Sequence, residues 1–302
     1  MDSSGETALN TRPMLPRRLL LGLGLAALGG TPRLAAAAAE PPAPEAPSVA
    51  PDVKRILDRG RLVVAVAGFE TPPFVFTGDT GKPEGTDIDL AADMAKALGV
   101  DIVFDRRARN FNEIVAIIAR HEADLAISKL SETLDRALKV RFSQPYLVLR
   151  HALLLNRLRF VKIAKGRDPV DVVRDFGATI AVVKGTAYVE YAKRLLPHAE
   201  LREYPTWEPD AVGAVMRGEV VAAYRDELEV RRVLAAWPEA PLELRPAILT
   251  DTRDPIGIGV PWDSAQLLAW VDFYLQSTAK PLSIDELMAR YALAEKDKRP
   301  AN

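Results

Sequence analysis

The sequence predicts an α/β fold in two successive units, and three observations carry that prediction. Leu62–Ala67 is an unbroken apolar run, the pattern of a strand buried on both faces. From Asp87 to Leu98 the apolar residues Leu90, Met94, Ala97 and Leu98 recur at helical spacing, and the run stops at Gly99, a residue suited to the left-handed position beyond a helix. The strand-then-helix order then starts afresh at Thr179–Val183, which argues for parallel-rich sheets covered by helices.

The remaining elements follow in order. Val100–Phe104 reads as a strand, Ile114, Ile117 and Ile118 mark one helical face, and Asp124–Ser128 is a short strand. In the second unit the turn Gly185-Thr186 opens a helix running through Leu196, and Ala211, Val215 and Met216 lie on another. Val220–Tyr224 is a strand, Glu227–Ala236 a helix, and Gly257–Val260 a strand again; helices at Asp263–Ser277 and Ile284–Tyr291 close the chain.

Composition narrows the function classes. The chain has 302 residues, enough for two ordinary domains, with 48% hydrophobic and 27% charged residues. Net charge is −1 and the Lys and Arg residues are dispersed among acids, so neither nucleic acid nor an anionic membrane surface is an expected partner. Arg17 and Arg18 precede the apolar run Leu19–Leu28 and the small residues Ala35–Ala39, the order of a secretory signal. Residues 1–39 are therefore expected to be a signal peptide, cleaved near Ala39, with the twin-arginine and general routes both open. Residues 40–51 read as a Pro/Ala linker. There is no cysteine, so disulfides, thiolate metal sites and an N-terminal lipid anchor are not expected. A periplasmic protein free of the membrane is the expectation.

Four segments come in a telling order. They are Pro72-Pro73-Phe74, then Gly85-Thr86-Asp87-Ile88-Asp89-Leu90-Ala91, then Thr133-Leu134-Asp135-Arg136, then Phe142-Ser143-Gln144-Pro145-Tyr146. At these separations the series resembles the family 3, amino-acid type, periplasmic solute-binding proteins of ABC transporters. The resemblance runs from about Leu62 to Tyr291. It implies the type II, two-lobed periplasmic binding protein fold, with crossing segments near 147–152 and 248–254. Lobe 1 would comprise 52–148 and 253–302 and lobe 2 149–252, with a ligand cleft between them that closes by hinge motion.

A free amino acid needs a fork of donors for its carboxylate, an acid for its ammonium and a wall for its side chain. By the resemblance, Arg136 holds the carboxylate, with Ser131 adding a hydroxyl and Gly185-Thr186 contributing from the opposite lobe, where a helix start attracts anions. Asp226 meets the ammonium, Phe111 packs on the ligand side chain, and Phe74 shapes the cleft wall or supports the core. Ser131 and Asp226 are equally good helix caps, and Arg225 either lines the pocket or is solvated.

Departures from the family pattern matter as much. Gly68 stands where an acid is usual, Thr71 where an aromatic residue is usual, and Thr86 replaces the aromatic residue at the helix entry. Lys129 stands where a small residue approaches the ammonium subsite. Three placements are open to it: solvent, a cleft position favouring a ligand with a second acidic group, or a pair with Asp226 that fills the amine subsite.

No metal or cofactor is expected, since His121, His151 and His198 are scattered without ligand spacing and no phosphate-binding or nucleophile motif occurs. The leading expectation is a monomeric binding protein that presents an amino acid or related small carboxylate to an ABC permease. An accessory or sensor protein of another periplasmic system is the alternative. A cyclohexadienyl-type dehydratase is a further one; it would need a general acid, for which Glu227 and Glu70 are the candidates.

Overall fold

The structure is a computed structural model, and it describes residues 48–237, 240–278 and 282–297. The signal peptide expected at 1–39 and most of the linker expected at 40–51 lie outside the described residues. The described chain opens with α1 (Pro51–Arg59), where Pro51 supplies a preset first helical residue. The Asp52 carboxylate accepts the N–H groups of Gln266 and Leu267, each at 2.9 Å, which fastens this helix to a later one.

In chain order there follow β1 (Arg61–Ala67), β2 (Phe76–Thr77), β3 (Pro83–Glu84), α2 (Thr86–Leu98), β4 (Asp101–Ala108), α3 (Phe111–Ala119), β5 (Leu125–Ala126), α4 (Leu134–Ala137) and β6 (Val140–Phe142). The middle of the chain contains β7 (Leu147–Asn156), α5 (Arg157–Ala164), α6 (Pro169–Arg174), β8 (Thr179–Val183), α7 (Ala187–Leu195) and β9 (Glu200–Tyr204). A wide helical turn at Trp207–Ala211 leads into α8 (Val212–Met216), β10 (Ala222–Asp226), α9 (Glu227–Ala236), α10 (Ala240–Glu243) and β11 (Leu244–Ile256). The described residues end with β12 (Gly259–Pro261), α11 (Ala265–Ser277) and α12 (Ile284–Asp297). None of the described helices is long and apolar enough to cross a membrane.

Two five-stranded sheets organise these elements. The first has the order β4-β1-β5-β12-β6, with β4, β1 and β5 parallel and β12 antiparallel to both of its neighbours. The second has the order β11-β7-β10-β8-β9, with β10, β8 and β9 parallel and β7 and β11 antiparallel. The first sheet thus takes β12 from beyond the second, giving a two-lobed architecture. Leu153 and Leu155 of β7 face one apolar cluster and Ala152 and Leu154 face another, so the second sheet is buried on both sides by the alternation of a strand.

The chain passes between the lobes along β7 and β11, which pair from Asn156↔Leu244 to Leu147↔Ile256. Their register breaks between Leu249 and Asp254, a bulge that bends the pair. The family resemblance implies crossing segments in these stretches, and sequence periodicity misses that both belong to long strands. It also misses β6, β9, α5 and α6. β10 begins two residues later than the expected strand at Val220, so that Asp226 is the last residue of β10 and the cap of α9.

Candidate functional site

The site is assembled on an unusual helix entry. Gly85 has φ +127°, and a Cβ there would lie 2.2 Å from the Phe74 carbonyl oxygen, so only glycine admits the Pro73-Phe74 turn against the start of α2. The N–H groups of Thr86 and Asp87 donate to the Pro73 and Phe74 carbonyls at 2.9 and 3.1 Å. Asp87 is fully buried; its carboxylate accepts the Lys129 N–H at 2.6 Å and the Tyr146 hydroxyl at 3.0 Å. Burial pushes its pKa up to about 7 against the pull of those two donors. The bonds hold Lys129 in a left-handed conformation, φ +46°.

Lys129 takes the third of its three open placements. Its side chain is buried, and Nζ lies 2.9 Å from Asp226 Oδ2 and 2.8 Å from Glu229 Oε1, over the Phe74 ring at 5.2 Å from its centre. Asp226 also caps α9, accepting the Glu229 N–H on Oδ1 at 3.0 Å, so one carboxylate serves the helix start and the Lys129 ammonium together. Glu229 accepts Arg232 at 2.7 Å. Burial alone would raise the Glu229 carboxyl, but Arg232, Lys129 and Arg225 hold it well below its ordinary value. A buried row of alternating charges therefore joins the lobe that carries Lys129 to the lobe that carries α9.

The expected carboxylate subsite lies beside it. Arg136 is buried and donates to the Ser131 carbonyl at 2.9 Å and to Asn112 Oδ1 at 3.2 Å. The Ser131 hydroxyl donates to Asp254 Oδ2 at 3.2 Å, and Thr186 Oγ1 donates to the Val183 carbonyl at 2.7 Å. Asp254 also accepts the hydroxyls of Tyr188 at 2.6 Å and Tyr191 at 3.1 Å, and burial pushes its pKa up to about 6. Gly185, at φ +74°, brings lobe 2 against lobe 1: a Cβ there would lie 3.1 Å from the Asn110 side chain.

Lys129, Ser131, Arg136, Thr186, Asp226 and Phe111 are thus brought together around one small cavity. About 10 Å³ of it is open, room for no more than a single water. Beside it lies a cavity of about 400 Å³, and Phe111, Thr186 and Arg225 belong to the walls of both. Phe69 meets Phe111 edge-on at 5.2 Å, and the Arg225 guanidinium lies 5.9 Å from the Phe111 ring centre.

Phe74 takes the second of its two expected roles, core support, and not the cleft wall. It is fully buried in the lobe 1 core and is found in neither cavity wall, supporting the Lys129 ammonium from beneath. Gly185 likewise lines neither cavity. Glu227 is tied to the Arg150 N–H at 3.1 Å and to Arg231 at 3.6 Å, away from both cavities. Glu70 lines the larger one and accepts the Thr77 N–H and hydroxyl. His151 is a buried, satisfied histidine between Tyr224 and the Arg253 carbonyl, lowered by burial to about 4. Among the described residues no group of His, Asp and Glu is arranged to hold a metal ion.

Sequence reasoning missed Glu229, Arg232, Trp207, Tyr188 and Asp254. Glu229 alone carried a signal: an acid three residues after a capping Asp is the spacing of a helix start. The others come from separate elements and meet only in three dimensions.

This architecture, a two-lobed α/β body with a site at the crossing of its lobes, defines the class of the type II periplasmic binding proteins. The chain belongs to the bacterial extracellular solute-binding proteins, family 3, whose model matches residues 62–294. The L-cystine-binding protein TcyJ of Escherichia coli (strain K12) is 27% identical over 154 residues, 50% of this chain and 54% of its own length. The match therefore spans about half of that relative. The cyclohexadienyl dehydratase of Pseudomonas aeruginosa (strain PAO1) is 33% identical over 188 residues, 61% of this chain and 66% of its own length. Among solved structures, the ancestral amino acid-binding protein AncCDT-1, a precursor of cyclohexadienyl dehydratase, is 26% identical with a TM-score of 0.60, covering 79% of this chain and 98% of its own.

Proposed function

We propose that the protein is a periplasmic solute-binding protein that captures a small carboxylate, an amino acid or a relative of one, and presents it to an ABC importer. In this reading residues 52–148 and 253–302 form one lobe, residues 149–252 the other, and the protein acts as a monomer. The observation that carries it is the cavity of about 400 Å³ between the lobes, walled by Phe69 and Phe111 from one side and by Thr186 and Arg225 from the other. Of the residues expected to serve the acid group, Thr186 lines this cavity, and Phe69 and Phe111 would flank the rest of the ligand. No bond changes in the ligand; the work is the difference in affinity between open and closed forms.

The test is a thermal unfolding series with amino acids, dicarboxylates and oxo acids. A ligand specific to the folded form at 100 times its Kd adds about 2.7 kcal/mol of stability. A rise in Tm supports the reading, and none with any of these solutes opposes it in favour of an accessory role.

The similarity to a dehydratase supplies the second reading, loss of a hydroxyl from a cyclohexadienyl acid. Of its two candidate acids, Glu227 is tied to the Arg150 N–H and to Arg231 away from both cavities, which leaves Glu70, on the wall of the larger cavity, to donate the proton. Incubation with prephenate and arogenate, followed for loss of substrate, decides between them.

A further inference from the structure

The amine subsite and the carboxylate subsite are both satisfied by the protein itself, while the cavity beside them is not. Lys129 supplies Asp226 with an ammonium at 2.9 Å and Glu229 with the same ammonium at 2.8 Å. An α-ammonium entering there would meet a like charge and find its acid already paired. The larger cavity has the opposite need. Three buried donors among its wall residues, Trp207 Nε1, Arg225 Nε and Arg232 Nε, have no hydrogen-bond partner. Trp207 and Arg225 are more than nine-tenths buried, at 9% and 6% exposure, and an acceptor in the cavity reaches these two donors as the wall side chains yield. The nearest acid to Arg225 Nε is Asp226 at 3.7 Å, and the Lys129 ammonium sits closer to that same Asp226 oxygen. Lys184 stands exposed at the cavity rim and adds a further positive charge. Unpaired buried donors beside an open cavity call for an acceptor.

From this we infer that the ligand is an acid without an α-amino group, seated in the 400 Å³ cavity with its acceptor atoms on Arg225 and Trp207, while Lys129 stands where the ammonium of an amino acid would lie. Phe69 and Phe111 flank the apolar part of such an acid. The inference rests on the binding-protein reading and names the ligand class for that site.

Two pairs of near-isosteric probes test it: 2-oxoglutarate against glutamate, and 2-oxoisocaproate against leucine, by calorimetry and by Tm. In the unaltered protein an oxo acid binds and its amino counterpart is weaker by about ten-fold or more. Lys129→Ala vacates the amine subsite and reverses the order. Amino acid binding equal to or tighter than oxo acid binding in the unaltered protein overturns the inference and leaves the binding-protein reading standing. Silence from all four probes overturns both. Should Lys129→Ala fail to fold, Trp207→Phe carries the test, because it keeps a ring and removes the N–H. Oxo acid affinity then falls about five-fold, and an unchanged affinity refutes the seat proposed here.

Discussion

Asp87 and Lys129 show how one residue's conformation sets another's chemistry. Asp87 accepts the backbone N–H of Lys129, and that turn carries the ammonium to Asp226 and Glu229. The Asp87 carboxyl rises from its ordinary 3.8 to about 7. Its folded pKa lies above its unfolded one, so the folded state keeps the proton longer. The stability that Asp87 contributes falls as pH climbs from about 4 to 7 and is level above that. An amide can keep both bonds, accepting from Lys129 and donating to Tyr146. Asp87→Asn should therefore gain on the unaltered protein steadily across that window in urea titrations at stepped pH. A constant difference from pH 4 to 8 would refute the assignment. Lys129→Met removes a buried cation from between two buried acids and should cost about 3 kcal/mol, the lower end for a broken buried pair because Arg232 remains beside Glu229. Urea unfolding checks this, and a loss below about 1 kcal/mol would mean the pair is not formed in solution. The sequence marked Lys129 as anomalous but left its three placements open, because the choice depends on Glu229, which lies 100 residues away.

At the level of elements, the clearest constraint is the turn between β8 and α7. Gly185 there combines φ +74° with a 3.1 Å approach to Asn110 across the lobes. Gly185→Ala meets two penalties, the left-handed backbone, about 1–2 kcal/mol, and the contact. We expect a lower Tm and weaker ligand binding. Asn110→Gly in the same chain, which removes the Cβ at 3.1 Å, should restore part of the binding and none of the backbone penalty; full recovery would assign the whole effect to the contact. The elements legible in the sequence were those with a clean period and a clear stop, such as β1, α2, β8 and α9. β11 was not among them, because Pro246, Pro255 and the polar stretch around Asp251 mask its pattern, and its strand state depends on pairing with β7. Of the site, the residues of single motifs were legible, and those gathered from β11, α7 and the turn before α8 were not.

On the scale of the whole molecule, Lys129 ties the two lobes through Asp226 and Glu229, and Gly185 and Asn110 meet at the same seam. The ligand-free protein should therefore scatter X-rays as a closed particle. Its radius of gyration should change little with an oxo acid and grow in Lys129→Met. A ligand-free protein that contracts markedly on binding would show that the tie does not hold in solution. We expect the backbone to bend at the β7–β11 register break between Leu249 and Asp254 when the lobes part.

That tie has a further consequence. A side chain on the same chain competes for Asp226 at a fixed local concentration, set by geometry and unaffected by dilution; even short flexible tethers give values on the order of millimolar. Dissolved amino acids have to outcompete a resident that never diffuses away. If the proposed ligand class holds, the protein is thereby guarded against amino acids, and an acid with no claim on Asp226 meets no such rival.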